Sequence, residues 1–330
     1  MNALLRLVRS QLHVYSEICK ARLFYSRYIA ARRERVLYRR QRSIFAMTEL
    51  ERRHCDELRN LGFTMLHGFF GAALADTLLA KADSLFRKLL LDPALSYSVQ
   101  NRERASFEGL GYQTLERTEK MIALKDPLVN VPECIPIAFH ETVLKIVTNF
   151  LGYVIPRFKP LIVRDFPTDR PRESSFFHRD NDEADSVQAF VYLVDIDETI
   201  GPLIYVPRTN RYDVQSCRPR LSRDLGVSGY DGRISDEEVL KYYPRESWVA
   251  LRAKRGTLAI FHGNGFHKGP VWPRYGDPGA PARTAVRMDF HGYKLGQKQN
   301  RWKQSRIRSV DYARLSRLQR LFTDESAVVD

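Results

Sequence analysis

The chain has 330 residues, 44% hydrophobic and 11% aromatic, enough for a large packed core and too many for a low-complexity disordered polypeptide. Its net charge of +14 sits at the ends: residues 1–46 hold 11 Lys/Arg against 2 Asp/Glu, 292–330 hold 9 against 4, and the stretch between is neutral. A charged partner would therefore meet the termini, and nucleic acid is not expected because no aromatic platforms cluster beside a basic groove.

Cys19, Cys55, Cys134 and Cys217 stand far apart with no CxxC spacing, which argues against a zinc ribbon and a disulfide framework. Buried thiols in a reducing compartment are expected. No segment reaches the ~18–20 uninterrupted apolar residues of a membrane span.

Residues 3–45 read as helix. Leu4, Val8, Leu12, Tyr15, Cys19 and Leu23 recur every three or four positions, and the basic run 31–42 contains no Gly or Pro. The stripe has two equal uses: peripheral contact with an anionic membrane, or packing on the body or a second subunit. Arg6 and Arg9 interrupt the apolar core that a secretory signal needs, while the Arg-rich, acid-poor start also suits a mitochondrial presequence. The placement adopted is cytoplasmic, peripheral to a membrane.

Thr48 and Glu51 have the spacing of a capping box, Gly62 ends the short helix that follows, and Phe63–Leu66 suits a strand. Residues 71–92 are an amphipathic helix with Leu78, Leu79, Ala82, Leu85 and Leu89 on one side. From about 150 the pattern turns to short β-branched and aromatic runs at 158–166, 187–194, 203–206, 257–261 and 283–290. Few helices can fit between them, so an antiparallel barrel or jelly roll suits them better than a parallel βαβ sheet. The polar stretch 208–247, with Gly226, Gly229, Gly232 and Pro244, reads as an insertion loop with a helix near 236–242, of the kind that often covers an active site. Residues 298–322 return to basic helix with Ile307, Val310, Leu315, Leu318 and Leu321 on its apolar side. The expected division is a basic helical extension (1–46), a β-rich body (47–291) and a second basic helical extension (292–330).

His178 and Asp180 are two apart, so on a strand they project from one face and can reach a common metal. A second His from a distant strand would complete a set of two imidazoles and one carboxylate, leaving three of six positions open, as non-heme Fe(II) chemistry requires. His267, after a strand and the turn Gly263-Asn264-Gly265, is the favoured partner, and His262 at the end of that strand is the alternative. H-x-D alone is a weak signal, since it also arises as a surface polar pair.

Its surroundings add to it. Gly62-Phe63-Thr64 with Leu66, His178-Arg179-Asp180, Gly201-Pro202-Leu203 with Pro207, a strand leading to His267, and Arg283 occur in that order. The series resembles the phytanoyl-CoA dioxygenase family of Fe(II)/2-oxoglutarate oxygenases over roughly residues 58–291. Two features depart from the family pattern. Arg208-Thr209-Asn210 stands where Gly-Ser-His is usual, and the interval from His267 to Arg283 is long and proline-rich.

The resemblance implies a mostly β fold with flanking helices around a double-stranded β-helix (jelly-roll, cupin-like) core. It implies His178, Asp180 and His267 as catalytic iron ligands and Arg283 as the anchor for 2-oxoglutarate, with Arg287, four residues on and on the same strand face, as the other candidate. The expected reaction decarboxylates 2-oxoglutarate to succinate and hydroxylates a C–H of a small-molecule or lipid-like substrate. The carboxylate of Asp180 favours hydroxylation over halogenation, which replaces that ligand with a small residue. Specificity is expected in 93–118 and 208–247. A non-catalytic membrane- or nucleic-acid-binding protein on the same fold is the alternative, and the intact ligand set argues against it.

Overall fold

The computed structural model describes residues 2–88, 95, 97–99, 102–103, 121–167, 171, 173–180, 185–225, 232–270, 272, 281–293, 302–303, 306–323 and 325–330. Most of the 93–118 segment lies outside the described residues.

The N-terminal run forms α1 (Asn2–Phe24), a π-helical segment (Tyr25–Ala30) and α2 (Arg32–Arg40). The described part of its apolar stripe turns inward. Leu12 and Cys19 are buried, and Cys19 joins Tyr212 and Cys217 in a cluster against which Tyr15 and Leu23 pack. Ser16 Oγ donates to the Tyr212 carbonyl at 2.6 Å. Arg27 donates through Nε and Nη2 to both oxygens of Asp185, at 2.7 and 2.6 Å, and that carboxylate is wholly buried. The opposite side of the same helical run leaves Val14, Ile18, Phe24, Tyr28, Ile29 and Val36 exposed.

The capping box forms as its spacing requires: Thr48 Oγ1 accepts from the Glu51 amide at 3.2 Å while Glu51 accepts from the Thr48 amide at 2.8 Å, opening α3 (Glu49–Leu61). Gly62 closes it at φ 90°, where a Cβ would also strike the Tyr205 ring, so β1 (Phe63–Leu66) begins at once. Next come α4 (Ala72–Lys88), β2 (Met121–Leu124) and α5 (Glu141–Leu151). The last two fall in a stretch to which the sequence pattern assigns nothing.

The strands that build and flank the site are β3 (Arg157–Asp165), β4 (Ser186–Tyr192), β5 (Leu203–Tyr205), β6 (Val249–Leu251), β7 (Leu258–His262), β8 (His267–Lys268) and β9 (Arg283–His291). Among the described residues, the larger sheet contains the order β1-β7-β4-β9-β3-β2, continued past β2 by short strands at Tyr97–Val99 and Arg102–Glu103, and a smaller one has the order β8-β5-β6; these pairs are antiparallel, and a short strand at Trp302–Lys303 adds to β3 in parallel. The period of two then sorts the side chains. On β9, Val286, Met288 and Phe290 join the core beneath the helices, while Ala285 joins Val163, Phe190, Tyr192, Leu203, Tyr205 and Phe261 between the sheets. The architecture is a mixed helix-and-sheet fold with antiparallel sheets.

The chain from 214 to 240 is not a plain loop. It contains α6 (Val214–Asp224) and α7 (Asp236–Leu240), opened by Asp213 and Ser235 as N-caps. Residues 298–322 do not form one helix in their described part. Ile307–Arg308 is a short strand, followed by α8 (Ser309–Arg314) and α9 (Arg317–Arg320), because Ser316 and Gln319 start a fresh capping box. Ile307, Leu315, Leu318 and Phe322 enter the helix-side core. No single described helix is long and apolar enough to cross a membrane.

The Arg27–Asp185 pair makes the N-terminal segment part of the folded body. Arg27→Ala leaves the buried carboxylate without its cation, and a loss of about 3 kcal/mol is expected in urea unfolding. A change below about 0.5 kcal/mol, the usual range for surface substitutions, would show that Tyr153 and His262 satisfy Asp185 alone.

Candidate metal centre

The segment before β4 pairs on both sides. Phe177 bridges Ile234, and His178 bridges His267 through two backbone bonds, His178 N to His267 O at 3.0 Å and the reverse at 3.2 Å. Residues directly opposite in an antiparallel pair share a face, and the two imidazole centroids lie 4.3 Å apart. Asp180, two residues on, joins them, its amide donating to the Gly263 carbonyl at 2.8 Å. One ligand atom from each of His178, Asp180 and His267 lies within 4.8 Å of the others.

Each histidine is oriented alike. Nδ1 of His178 lies 2.9 Å from the Phe176 carbonyl, and Nδ1 of His267 lies 3.0 Å from the Gly265 carbonyl. A carbonyl only accepts, so Nδ1 carries the proton and Nε2 presents its lone pair inward. The two Nε2 atoms face Asp180 Oδ1 at 3.4 and 3.5 Å. Burial and the neighbouring His267 bring the His178 pKa down to about 4, which keeps the ring neutral and able to ligate. Burial opposes ionisation of Asp180, but His267 and His178 outweigh it and hold the carboxyl well below its usual range. Two imidazole nitrogens and a carboxylate oxygen, converging in a buried site, fit a divalent first-row metal. The alternative His262 points elsewhere: its Nε2 lies 3.6 Å from Asp185 and its ring packs on Phe150.

The cluster lies in a cavity of about 280 Å³ between the sheets, lined also by Gln188, Arg233, Arg283, Arg287, Asp289 and His291. Arg283 is there, but it is engaged: Nε and Nη2 donate to Asp165 Oδ2 at 3.0 and 2.8 Å, and Nη1 has only a 3.4 Å contact to the Gly201 carbonyl. Arg287 donates to Asp289 at 2.8 Å, and its Nε has no partner among the described residues. Nothing in the sequence marks Asp165 or Gln188 as partners in the site. Their roles depend on which strands are neighbours.

A family model for phytanoyl-CoA dioxygenase (PhyH) matches residues 58–270. The chain belongs to the phytanoyl-CoA dioxygenase family. It is a 2-oxoglutarate-dependent dioxygenase with iron and 2-oxoglutarate as its cofactors. Among solved structures it is similar to the epimerase SnoN in complex with Fe3+, alpha-ketoglutarate and nogalamycin RO, at 13% identity over 78% of this chain and 94% of that one, with a TM-score of 0.46. EvdO2 from Micromonospora carbonacea var. aurantiaca complexed with 2-oxoglutarate is 15% identical over 78% and 96%, with a TM-score of 0.47. EctD from S. alaskensis with 2-oxoglutarate and 5-hydroxyectoine is 16% identical over 74% and 76%, also at 0.47. No curated protein matches the chain.

In this member of the phytanoyl-CoA dioxygenase family, the described part of the 208–247 insertion packs behind the candidate ligands. Residues alternating with the ligands face it. Phe177 and Phe266 share a core with Val206, Ile234 and Val239. Arg179 Nη2 donates to the carbonyls of Thr209 and Ser216 at 3.1 and 2.9 Å, and its guanidinium lies over Tyr212 and Phe266. Lys268 donates to Asp236 at 2.6 and 2.7 Å beside Phe177 and Trp248. The described part of the insertion is a buttress, because the cations of the ligand strands lie on its side, and it also contributes Arg233 to the cavity lining.

Arg179→Ala removes two charge-assisted bonds to carbonyls, so a loss of at least about 2 kcal/mol is expected, with faster proteolytic nicking within 208–247. An unchanged urea midpoint and an unchanged cleavage pattern would remove the buttress role.

Proposed function

We propose that His178, Asp180 and His267 hold iron(II), that Arg283 receives the far carboxylate of 2-oxoglutarate, and that the enzyme hydroxylates an unactivated C–H of a small-molecule substrate. The observation that carries this reading is the convergence of Asp180 Oδ1 and two histidine Nε2 atoms in a cavity that also holds buried guanidinium groups. When bound, iron and 2-oxoglutarate would supply oxidative chemistry in which dioxygen is the oxidant: one of its oxygen atoms goes to the substrate hydroxyl, the other to succinate, and carbon dioxide leaves.

The chain's own part is positioning. The paired backbone of His178 and His267 fixes the two rings, and the Nδ1 bonds fix their tautomer. Arg283 sits at the start of β9 with Nε and Nη2 gripped by Asp165, which holds the guanidinium plane and leaves the Nη1 side for the co-substrate. Met121, Val163, Phe190, Leu203 and Phe261 line an apolar wall of the same cavity and exclude water. We read the two sheets as the halves of a double-stranded β-helix, and 47–291 as the catalytic body with 1–46 and 292–330 docked on it.

Alanine at His178, Asp180 or His267 is expected to abolish iron-dependent succinate formation and the weak visible band of the Fe(II)–2-oxoglutarate complex, with the fold retained. Arg283→Ala is expected to raise the 2-oxoglutarate requirement by tenfold or more. If His267→Ala keeps the band, the distal ligand is misassigned. If Arg287→Ala has the larger effect on 2-oxoglutarate, the anchor is Arg287.

A second reading concerns location, favoured by the apolar residues left exposed between Val14 and Val36 beside Arg22, Arg32, Arg33 and Arg35. An apolar strip flanked by arginines suits an anionic bilayer surface, where the guanidinium groups reach the headgroups, and would bring the enzyme to a lipid-like substrate. The chain should co-sediment with phosphatidylserine vesicles, and Val14→Ser/Ile18→Ser/Ile29→Ser should release it without loss of stability. Absence of wild-type binding would end this reading.

A further inference from the structure

We infer that Gln188 is a positioning residue that keeps Asp180 a one-oxygen metal ligand. The inference rests on the metal site proposed above, and it concerns how the carboxylate is held. The two oxygens of Asp180 have different surroundings. Oδ1 faces both histidine Nε2 atoms. Oδ2 faces away from them and accepts a 2.6 Å bond from Gln188 Nε2. The orientation of the amide follows from chemistry, because an ionised carboxylate only accepts and only the nitrogen of a glutamine side chain can donate.

Gln188 reaches Oδ2 because of its place in β4. It shares its strand face with Phe190, another lining residue of the cavity, and lies directly across the ladder from Asp289. Gly263 stands against the same oxygen. A Cβ there would lie 2.7 Å from Asp180 Oδ2 and 3.0 Å from Asp180 Cβ. Gly263 is not among the residues with positive φ, so its missing side chain serves the carboxylate and not a turn.

The consequence is a count of coordination positions. With one oxygen from Asp180 and two imidazoles, three of six positions stay open, one more than a chelating 2-oxoglutarate fills. If Oδ2 swung onto the metal, that spare position would close. To do so it would have to break its bond to Gln188 and leave a polar N–H unpaired in the cavity, so the amide opposes the swing. The sequence gives no sign of this role, since Gln188 reads as one polar residue in a β-branched run.

The test uses Co(II) alone, followed by its visible absorption, on wild type, Gln188→Met and Gly263→Ala. Methionine keeps the length of glutamine and removes the donor. The methyl added by Gly263→Ala presses on Oδ2 and Cβ of Asp180 and on Ser186 Oγ, at a residue without positive φ. Both variants are expected to bind Co(II) 10- to 100-fold more weakly, the usual cost of losing a partner behind a metal ligand. Both should also change the d–d band, as a second carboxylate oxygen would take the place of a solvent ligand. Thermal melting of the metal-free proteins separates this from misfolding, and if one variant melts early the other decides. Gln188→Met with Co(II) affinity within twofold of wild type and an unchanged spectrum overturns the inference. Wild type that takes up no Co(II) removes the metal site itself, and the inference with it.

Discussion

The candidate site depends on one backbone contact, the antiparallel bridge in which His178 and His267 exchange both amide–carbonyl bonds. It joins segments almost ninety positions apart and leaves no freedom in which face each histidine uses. A slip of one residue would put Phe266 or Lys268 across from His178 and turn the imidazole outward. The bridge also gathers two imidazoles and an ionised carboxylate in a buried place. Such a cluster without a cation is a poor use of a protein interior, and polar groups held in this way are commonly found where a ligand binds.

A bridge this short needs support from its other face. The same alternation that turns His178, Asp180 and His267 toward the cavity turns Phe177, Arg179, Phe266 and Lys268 toward the 208–247 insertion. The insertion is held from behind in turn: α1 packs along α6, and Cys19, Tyr212 and Cys217 form their joint core. Arg27 reaches the start of β4 by a second route, through Asp185. Both ends of the segment that carries His178 and Asp180 are therefore braced by parts of the chain outside or inserted into the usual body. This gives the basic N-terminal run a mechanical task, whatever else its exposed face meets.

Much of this was legible in the sequence wherever a local rule sufficed. Thr48 and Glu51 announce α3, and the alternation in β3, β4 and β9 announces strands, because capping and pleating act over a few residues. His178 and Asp180 share a face for the same reason. The partners were not legible where they come from strand order: Asp165 meets Arg283 only because β3 lies beside β9, and Gln188 meets Asp180 only across the site. Pro219 and the surrounding polar residues make α6 read as loop, although it is a helix with Pro within it, fastened by Asp213 and by burial of Cys217. Arg208 shows what a departure from the family pattern means physically. It adopts φ 68°, the left-handed region that a glycine would occupy without strain, and its amide is held by the Leu61 carbonyl.

The charges inside the cavity limit what the enzyme can accept. β9 points Arg283 and Arg287 inward, and each is accompanied by a carboxylate, Asp165 or Asp289. Burying a guanidinium alone would cost several kcal/mol, so these pairs let the chain hold two arginines in the interior before any ligand arrives. They also leave each arginine with a restricted offer. Asp165 occupies the Nε and Nη2 side of Arg283, and Asp289 occupies Nη2 of Arg287, whose Nε has no partner among the described residues. An incoming carboxylate can therefore meet a guanidinium edge without first displacing an internal one. The cavity that holds these pairs is lined as well by Met121, Val163, Phe190, Leu203 and Phe261, so buried charge and apolar surface meet in one space.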